Sequence, residues 1–169
     1  MAEPEDHGSE LLARLLRGVP GAVLATHAEC GDATAVVDGA RLLEAMAFLQ
    51  GDPATAFDML SDLTAVDYQG YPGRSGPRFE VVYHLYSLAR NHRLRVKLGV
   101  EEAACEAPSL VALWPSANWM EREVWDMYGI RFAGHPDLRR ILLYDEFEGH
   151  PLRKDYPKER RQPLVGPRN

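Results

Sequence analysis

The stretch that decides the fold runs from Phe79 to Val100. It begins with Phe79-Glu-Val-Val-Tyr-His-Leu-Tyr-Ser-Leu88, continues through the polar link Ala-Arg-Asn-His-Arg, and ends with Leu94-Arg-Val-Lys-Leu-Gly-Val100. The second run alternates large apolar residues with polar or small ones, as expected of a strand with one side facing solvent. Two such runs joined by a short polar link predict an antiparallel β-hairpin.

On the N-terminal side of this hairpin, apolar spacing predicts two helices and two short strands. The first helix covers Ser9 to Arg17 and the second covers Ala40 to Gln50, capped by Asp38. The strands are Ala22 to Thr26 and Thr34 to Val37, separated at Gly31-Asp32. A helical turn followed by a third strand is predicted from the spacing of Phe57, Leu60, Leu63 and Val66.

This order of elements predicts an α+β fold. A helix, two strands, a second helix and about three further strands indicate a two-layer domain, with helices packed on one face of a mixed β-sheet. After the hairpin, Pro108 to Leu113 is predicted to form a short helix. A stronger helix is predicted from Asn118, with a capping box to Glu121 and a stop at Gly129.

The last 20 residues differ in character from the rest of the chain. Residues 150–169 contain four prolines and six basic residues against two acidic ones, whereas residues 1–149 carry 13 basic and 23 acidic residues. Prolines at this density exclude a long helix or a central strand. We therefore divide the chain into an α+β domain, residues 1–149, and an extended basic arm, residues 150–169, which we expect to be mobile alone and ordered against a partner.

Charge and hydropathy exclude several classes of function. The net charge is -6, and an acidic body argues against nucleic-acid binding. The longest run without an Asp, Glu, Lys or Arg has 14 residues, too few for a membrane-spanning helix, so any membrane association is expected to be indirect. An acidic N-terminus is also unlike a signal or transit peptide.

The usual cofactor and metal motifs are missing from the sequence. It contains no Rossmann, P-loop, zinc-protease or nucleophile-elbow motif. Only Cys30 and Cys105 are present, whereas an iron–sulfur cluster usually takes four thiolates and a structural zinc site takes four paired ligands. We interpret both as free thiols, with a disulfide as the alternative, and expect no cofactor or metal in this chain.

Candidate acid–base groups occur only in the last third. Glu121, Glu123 and Asp126 could form a paired-carboxylate site, but Glu121 and Glu123 point in divergent directions on a helix. We therefore interpret these carboxylates as solvent-exposed or interface groups, with catalysis as the alternative. Arg122 and Asp126 have the spacing of a surface ion pair. The two histidines in Gly-His-Pro sequences, His135 and His150, are interpreted as turn-holding groups that donate to carbonyls, with proton transfer or metal binding as the alternatives.

The region from Trp114 to Pro157 is rich in Trp, Arg, Tyr and Met, which are typical of interface hot spots. Three blocks within it carry a resemblance to a known family. They are Glu121-Arg-Glu-Val-Trp-Asp-Met-Tyr-Gly-Ile130 with Phe132, Gly134-His-Pro-Asp-Leu-Arg-Arg-Ile-Leu142, and Glu148-Gly-His-Pro-Leu-Arg-Lys-Asp-Tyr-Pro157. In these blocks the chain resembles the C subunit of the proton-pumping NADH:quinone oxidoreductase, respiratory complex I.

The resemblance implies a non-catalytic scaffold in the peripheral arm of that complex, on the cytoplasmic face of the cell membrane. FMN and iron–sulfur clusters would reside in partner subunits, and the isolated chain would have no activity. The partners would be the large quinone-site subunit, known as the D subunit, and neighbouring cluster-bearing subunits. The alternatives are the corresponding chain of a membrane-bound hydrogenase-type complex or a free-standing acid–base enzyme. We predict that the partner interface includes Glu121, Trp125, Asp126, His135, Arg139, Arg140, His150, Leu152, Arg153, Lys154, Asp155 and Tyr156.

Overall fold

The predicted hairpin lies at the centre of a five-stranded sheet in the computed structural model, which describes residues 7–28 and 31–166. Three helices occur within these two ranges, α1 (His7–Gly18), α2 (Leu42–Gly51) and α3 (Ala117–Tyr128), and a 3-10 turn at Gly39–Arg41 precedes α2. The strands are β1 (Val23–His27), β2 (Thr34–Val37), β3 (Met59–Asp67), β4 (Phe79–Ser87), β5 (His92–Val100), β6 (Glu106–Pro108) and β7 (Arg131–Ala133).

The main sheet is mixed, as predicted. Its strand order is β1-β2-β5-β4-β3, and β2 runs parallel to β5 while the other neighbouring strands are antiparallel. The remaining two strands, β6 and β7, form a small parallel sheet of their own. This architecture confirms the α+β prediction, together with the two helices and two strands predicted on the N-terminal side of the hairpin.

The core lies on one face of the main sheet. Alternate residues of the hairpin, including Tyr83, Leu85, Val96 and Leu98, are buried in a single apolar cluster that also contains residues from all three helices. On the opposite face, side chains such as Lys97 remain partly exposed. The helices therefore form one layer and the sheet forms the other.

The predicted helical turn before the third strand is wrong. Residues 59–67 form one continuous strand, β3, and a bulge between Leu60 and Asp62 shifts its register against β4. The extra residue places Leu60 and Leu63 on the same buried side, opposite Leu85 and Tyr83. A three-residue apolar spacing, which indicates a helix in a regular segment, here results from the bulge.

The region before α3 also differs from its prediction. Residues 108–113 form the end of β6 and a turn in place of a short helix. Helix α3 begins at Ala117, and the capping box from Asn118 to Glu121 does not form because the carboxylate of Glu121 binds elsewhere. The predicted stop is confirmed, since Gly129 ends α3 with a left-handed φ of 79°.

Within the described ranges, no helix is long and apolar enough to cross a bilayer. Cys30 lies outside the described residues, and Cys105 is a free thiol. The division of the chain at residue 150 stays a prediction.

Candidate protein-interaction site

The carboxylate of Asp126 is the centre of the polar network in the last third of the chain. It is completely buried on α3, and its Oδ2 accepts three successive backbone N–H groups, from Ile141 at 3.1 Å and from Leu142 and Leu143 at 2.9 Å each. Its Oδ1 accepts a 2.5 Å bond from the guanidinium of Arg140. The predicted surface ion pair between Arg122 and Asp126 is therefore wrong.

These donors keep Asp126 ionised in spite of its burial. Desolvation alone would raise the pKa of Asp126, but the bond from the Leu143 N–H, the Arg140 guanidinium and the other backbone donors together lower that pKa below its usual value. A buried carboxylate with four donors fixes the loop that supplies them. The loop of residues 139–143 is thus anchored to α3.

Two arginines complete this anchorage. The Nε and Nη2 atoms of Arg122 donate to the carbonyls of Arg139 and Arg140, at 3.1 and 2.9 Å. Arg140 also donates to the carbonyls of Phe147 at 2.7 Å and Gly149 at 3.2 Å. The two guanidinium groups therefore tie the whole of residues 139–149 to the polar side of α3.

The Gly-His-Pro sequence at 149–151 docks on the end of α3. His150 Nδ1 lies 3.0 Å from the carbonyl of Asp126, and the N–H of Leu152 donates to the carbonyl of Met127 at 3.0 Å. The imidazole passes close to Gly129, where an added Cβ would lie 2.7 Å from Cδ2 of His150. A glycine at this position therefore serves both the helix stop and the approach of the imidazole. His150 binds a carbonyl, as predicted, but that carbonyl belongs to α3, 24 positions away, so the bond docks the segment on the helix and does not close a local turn.

A second network docks the following residues on the sheet. Arg78, just before β4, binds both oxygens of the buried Asp67 at 2.8 and 3.1 Å, and it also contacts Asp155 at 2.9 Å and Glu102 at 2.5 Å. The N–H of Lys154 donates to Asp67 at 2.8 Å. Hydrogen bonding by Arg78 lowers the pKa of Asp155, and hydrogen bonding to Asp67 raises the pKa of the guanidinium itself. Residues 150–155 therefore lie against this chain's own body.

Arg153 strengthens the same contact from the other side. Its guanidinium donates to Glu102 at 3.1 Å and to Asp155 at 3.2 Å, and it lies 5.0 Å from the centre of the Phe79 ring. The Arg78 guanidinium lies 4.8 Å from the same ring. Residues 151–159 follow a series of turns in place of the extended backbone that was predicted.

Glu121 is fully buried, so the prediction that it is exposed is wrong. Its carboxylate accepts the N–H of Leu110 at 2.6 Å and the hydroxyl of Ser109 at 2.7 Å, and these bonds hold the turn before α3. Desolvation raises the pKa of Glu121 to about 7. By contrast Glu123 is exposed, which confirms that the two carboxylates diverge.

His135 holds the start of the 135–143 loop. Its Nδ1 accepts the N–H of Asp137 at 3.0 Å, so the proton resides on Nε2, which donates to the carbonyl of Asn118 at 3.1 Å. This arrangement confirms a turn-holding histidine. The sequence did not single out Arg78, Asp67 or Glu102, because nothing in the local pattern indicates contacts across 50 or more positions.

The polarity of this region is inverted relative to an ordinary surface. The charged groups Arg122, Asp126 and Arg140 are turned inward, whereas several large apolar side chains of the same segments face solvent. Trp119 is 63% exposed, Leu142 is 62% exposed and Leu152 is 52% exposed. We call Trp119, Leu142 and Leu152 the exposed apolar set.

The structure distributes the predicted interface residues between the interior and the surface. Glu121 and Asp126 are completely buried within this chain, and Arg140, Trp125 and His150 are mostly occupied by internal contacts. The buried members can therefore support an interface only by holding the loops that carry the exposed ones. The exposed members are Arg139, Leu152, Lys154 and Asp155, and the half-buried ones are His135, Arg153 and Tyr156.

Metal-binding groups and surface clefts bear on whether these residues could hold a ligand. In residues 7–28 and 31–166, no group of three or more His, Cys, Asp or Glu side chains is placed to hold a metal ion. Two surface clefts of about 560 and 600 Å³ lie elsewhere, one beside Arg14 and Phe48 and the other beside Asp62 and His84.

The fold and this region together define an α+β domain in which buried charges organise loops that carry exposed apolar groups. Residues 35–162 match the family model described as respiratory-chain NADH dehydrogenase, 30 Kd subunit. The chain belongs to this family.

Two curated relatives illustrate the similarity. The C subunit of NADH-quinone oxidoreductase from Roseiflexus castenholzii is 48% identical over 147 residues, which cover 87% of this chain and 82% of the relative. The protein of the same name from Hyphomonas neptunium is 47% identical over 149 residues, covering 88% of this chain and 71% of the relative.

Solved structures show the same fold. The trypsin-resistant fragment (1-134) of Nqo5 is 34% identical, with a TM-score of 0.66, and the match covers 79% of this chain and 99% of the fragment. A chain of the membrane-bound sulfane sulfur reductase, an archaeal respiratory membrane complex, is 21% identical with a TM-score of 0.72, covering 90% of this chain and 87% of that one. The second likeness concerns the fold alone.

Proposed function

We propose that this chain is a non-catalytic scaffold in the peripheral arm of an NADH:quinone oxidoreductase, where it supports electron transfer from NADH to quinone coupled to proton translocation. Its partners would be the large quinone-site subunit, the D subunit, and the neighbouring subunits that carry iron–sulfur clusters. The assembly would lie at the cytoplasmic face of the cell membrane. The relatives named as C subunits of NADH-quinone oxidoreductase support this proposal.

The inverted polarity of the last third is the observation that carries the scaffold role. Exposed apolar surface marks protein-interaction sites, and tryptophan is among the residues that most often dominate the binding energy of an interface. Asp126, Arg122 and Arg140 fix the backbone that carries Leu142. The N–H of Leu152 binds the carbonyl of Met127, and Trp119 lies on α3, so the backbone of the exposed apolar set is preorganised. A preorganised surface of this kind loses little conformational entropy on binding.

The same contacts argue against a free-standing acid–base enzyme. Glu121 is enclosed by the turn at Ser109 and Leu110, and the Asp126 carboxylate is saturated by four donors. Both ring nitrogens of His135, the other candidate acid–base group, are engaged by the N–H of Asp137 and the carbonyl of Asn118. A general acid or base must be within hydrogen-bond reach of a substrate, and neither carboxylate is open to one. We therefore assign both groups to loop organisation.

Assembly of the full chain with its partner subunits tests the proposal. The full-length chain would be co-expressed with the other subunits, and the recovered complex would be identified by mass spectrometry. Leu142→Ser with Leu152→Ser is expected to lower recovery at least fivefold while leaving the melting temperature of the isolated chain within about 2 °C, because both leucines are exposed.

A matched control uses exposed leucines remote in sequence from this region. Leu43→Ser with Leu88→Ser replaces two side chains that are also exposed, one on α2 and one in the β4–β5 link. This control is expected to assemble like the unmodified chain. Equal recovery of the test and control variants would contradict the assignment of the interface, and failure of the unmodified chain to assemble would contradict the proposed function.

The proposed location of the cofactors needs its own measurement. We propose that FMN and iron–sulfur clusters reside in the partner subunits and none in this chain. Cys105 is the one cysteine among the described residues, and a cluster requires several thiolates. Elemental analysis and the visible absorption spectrum of the isolated chain would show stoichiometric iron or flavin if the proposal were wrong.

A further inference from the structure

The side chain of Gln162 reaches back along the chain and pairs with the backbone of Glu148. Its Oε1 accepts the N–H of Glu148 at 2.9 Å, and its Nε2 donates to the carbonyl of Glu148 at 3.0 Å. Two facing residues of an antiparallel sheet exchange the same pair of bonds, so one side-chain amide here takes the place of a neighbouring strand. Among residues 157–166, Gln162 is the one side chain that is not exposed. We call this pairing the Gln162 clasp.

Two further contacts close the same stretch of chain. The hydroxyl of Tyr144 donates to the carbonyl of Pro163 at 3.0 Å, and the guanidinium of Arg160 pairs with the carboxylate of Glu148. The ion pair of Arg160 is exposed and contributes little, but the hydrogen bond of Tyr144 is directional. Residues 144 and 163 are therefore brought together at the two ends of a closed stretch.

An aromatic cluster packs within this closed stretch. The ring of Phe147 is stacked with the ring of Tyr156, with centres 6.1 Å apart, and Tyr144 meets Phe147 edge-on at 5.6 Å. Aromatic pairs at these separations stabilise a fold beyond the area that they bury. The Nε2 of Gln162 also donates to the hydroxyl of Tyr156. The clasp thus joins the hydrogen bonds of residue 148 to the packing of the cluster.

The clasp completes the bonding of residues 147–149 that Arg140 begins. Arg140 donates to the carbonyls of Phe147 and Gly149, whereas the clasp takes both backbone groups of Glu148 between them. Arg140 is itself bound to the buried carboxylate of Asp126 on α3. Residues 147–149 are therefore held to α3 through their outer carbonyls and to the C-terminal segment through the residue in the middle.

We propose that the Gln162 clasp is a conformational device that holds residues 144–163 in place before any partner binds. Leu152 of the exposed apolar set lies inside this stretch, and Leu142 lies two residues before it. A surface that is already held in its bound conformation loses less conformational entropy on association. The effect on assembly rests on the proposed function, whereas the closure is a property of the isolated chain. The proposal departs from the expectation that residues 150–169 are mobile alone.

Amide hydrogen exchange at residue resolution, measured on the isolated full-length chain, tests the closure. The N–H of Glu148 is expected to exchange at least tenfold more slowly than an amide of an unstructured peptide. Gln162→Ala should speed this exchange at least fivefold and leave the N–H of Leu143, which binds Asp126, unchanged. Exchange of the Glu148 amide at the unstructured rate, or at the same rate in both proteins, would overturn the proposal.

Competition for partner subunits tests the effect on assembly. Gln162→Ala would be co-expressed with the unmodified chain and the other subunits, and mass spectrometry would give the ratio of the two chains in the purified complex. The variant is expected to be at least threefold under-represented. Gln69→Ala is the matched control, since Gln69 is an exposed glutamine in the loop after β3, and it should compete equally with the unmodified chain. Equal incorporation of both variants would contradict the proposal.

The outcomes separate this inference from the proposed function. If the Glu148 amide exchanges quickly in the isolated chain and slowly only in the complex, the C-terminal segment orders against a partner, so the clasp is wrong and the scaffold role stands. If the unmodified chain joins no complex, the proposed function is wrong, and exchange of the Glu148 amide in the isolated chain still decides the closure.

Discussion

Arg78 donates a 3.0 Å hydrogen bond to Asp155, although the two residues are 77 positions apart in the sequence. The same guanidinium binds Asp67 on the neighbouring strand, so one side chain joins β3, β4 and the C-terminal segment. Because Arg78 is largely buried, water screens these contacts less than it screens a surface pair. The basic C-terminal segment is therefore held through an acidic residue of its own.

Neutralising Asp155 is expected to loosen the C-terminal segment. Asp155→Asn removes the ion pairs with Arg78 and Arg153, and the amides of Leu152 and Lys154 should then exchange about fivefold faster. Asp137→Asn, which removes an exposed pair with Arg139, should leave these amides unaffected. Residue-resolved hydrogen exchange on the isolated chain checks both variants, and fast exchange of both amides in the unmodified chain would show that the segment is not docked.

Glu121 is expected to make stability fall as the pH rises. Its pKa is raised from an ordinary value of 4.5 to about 7, so the folded state binds this proton more tightly than the unfolded state does. The stabilisation that protonated Glu121 contributes is present in full below pH 4.5 and is lost as the pH rises to about 7. This loss lowers the free energy of unfolding by about 3 kcal/mol.

Glu121→Gln removes this titration. The free energy of unfolding should therefore fall less between pH 5 and pH 8 in this variant than in the unmodified chain. Glu123→Gln, at an exposed position of the same helix, is the control and should leave the difference unchanged. Urea unfolding at the two pH values measures it, and identical differences in all three proteins would mean that Glu121 is ionised throughout.

Asp126→Asn is expected to destabilise the chain by about 3 kcal/mol, since it breaks a buried ion pair from one side. The substitution leaves the mostly buried Arg140 without its anion and weakens the set of backbone N–H bonds from residues 141–143. Urea unfolding at pH 7 gives the free energy of unfolding. A loss as small as that of Glu123→Gln, which should stay below about 0.5 kcal/mol, would contradict the central role of Asp126.

Two glycines with the same backbone conformation provide a matched pair. Gly129 has a φ of 79° and Gly134 has a φ of 86°, but only at Gly129 would a Cβ meet a neighbour, His150. Gly134→Ala should cost about 1 kcal/mol for the left-handed conformation alone, and Gly129→Ala should cost at least about 2 kcal/mol. Thermal unfolding compares the two variants. Equal losses of stability would show that the His150 ring moves aside from the added Cβ without cost.

Local pattern was sufficient where a segment follows one regular period. The hairpin of residues 79–100 could be predicted because its second strand alternates buried and partly exposed residues from Leu94 to Val100, and its first strand is a mostly apolar run that is buried throughout from Phe79 to Tyr83. The prediction failed at Leu60 and Leu63 because a bulge inserts one residue between them and imitates a helical spacing. A bulge depends on pairing with β4, which lies about 20 residues away, and a local window cannot contain it.

The candidate site was predictable as a region but not as an arrangement. The sequence placed Trp, Arg and Gly-His-Pro groups in the last third, and it indicated histidines that hold turns. It assigned Glu121 and Asp126 to the surface, because a carboxylate on a helix is ordinarily solvated. Their burial follows from loops that fold back over α3 and supply donors to each carboxylate.

By itself, the sequence determined the α+β class, the central hairpin, the helix stop at Gly129 and the family resemblance, because each depends on residues close together in the chain. Tertiary structure alone decided which charges lie inside and which apolar groups face outward. Desolvating a carboxylate is unfavourable until donors surround it, and for Asp67 and Asp126 those donors come from segments that only folding brings within reach.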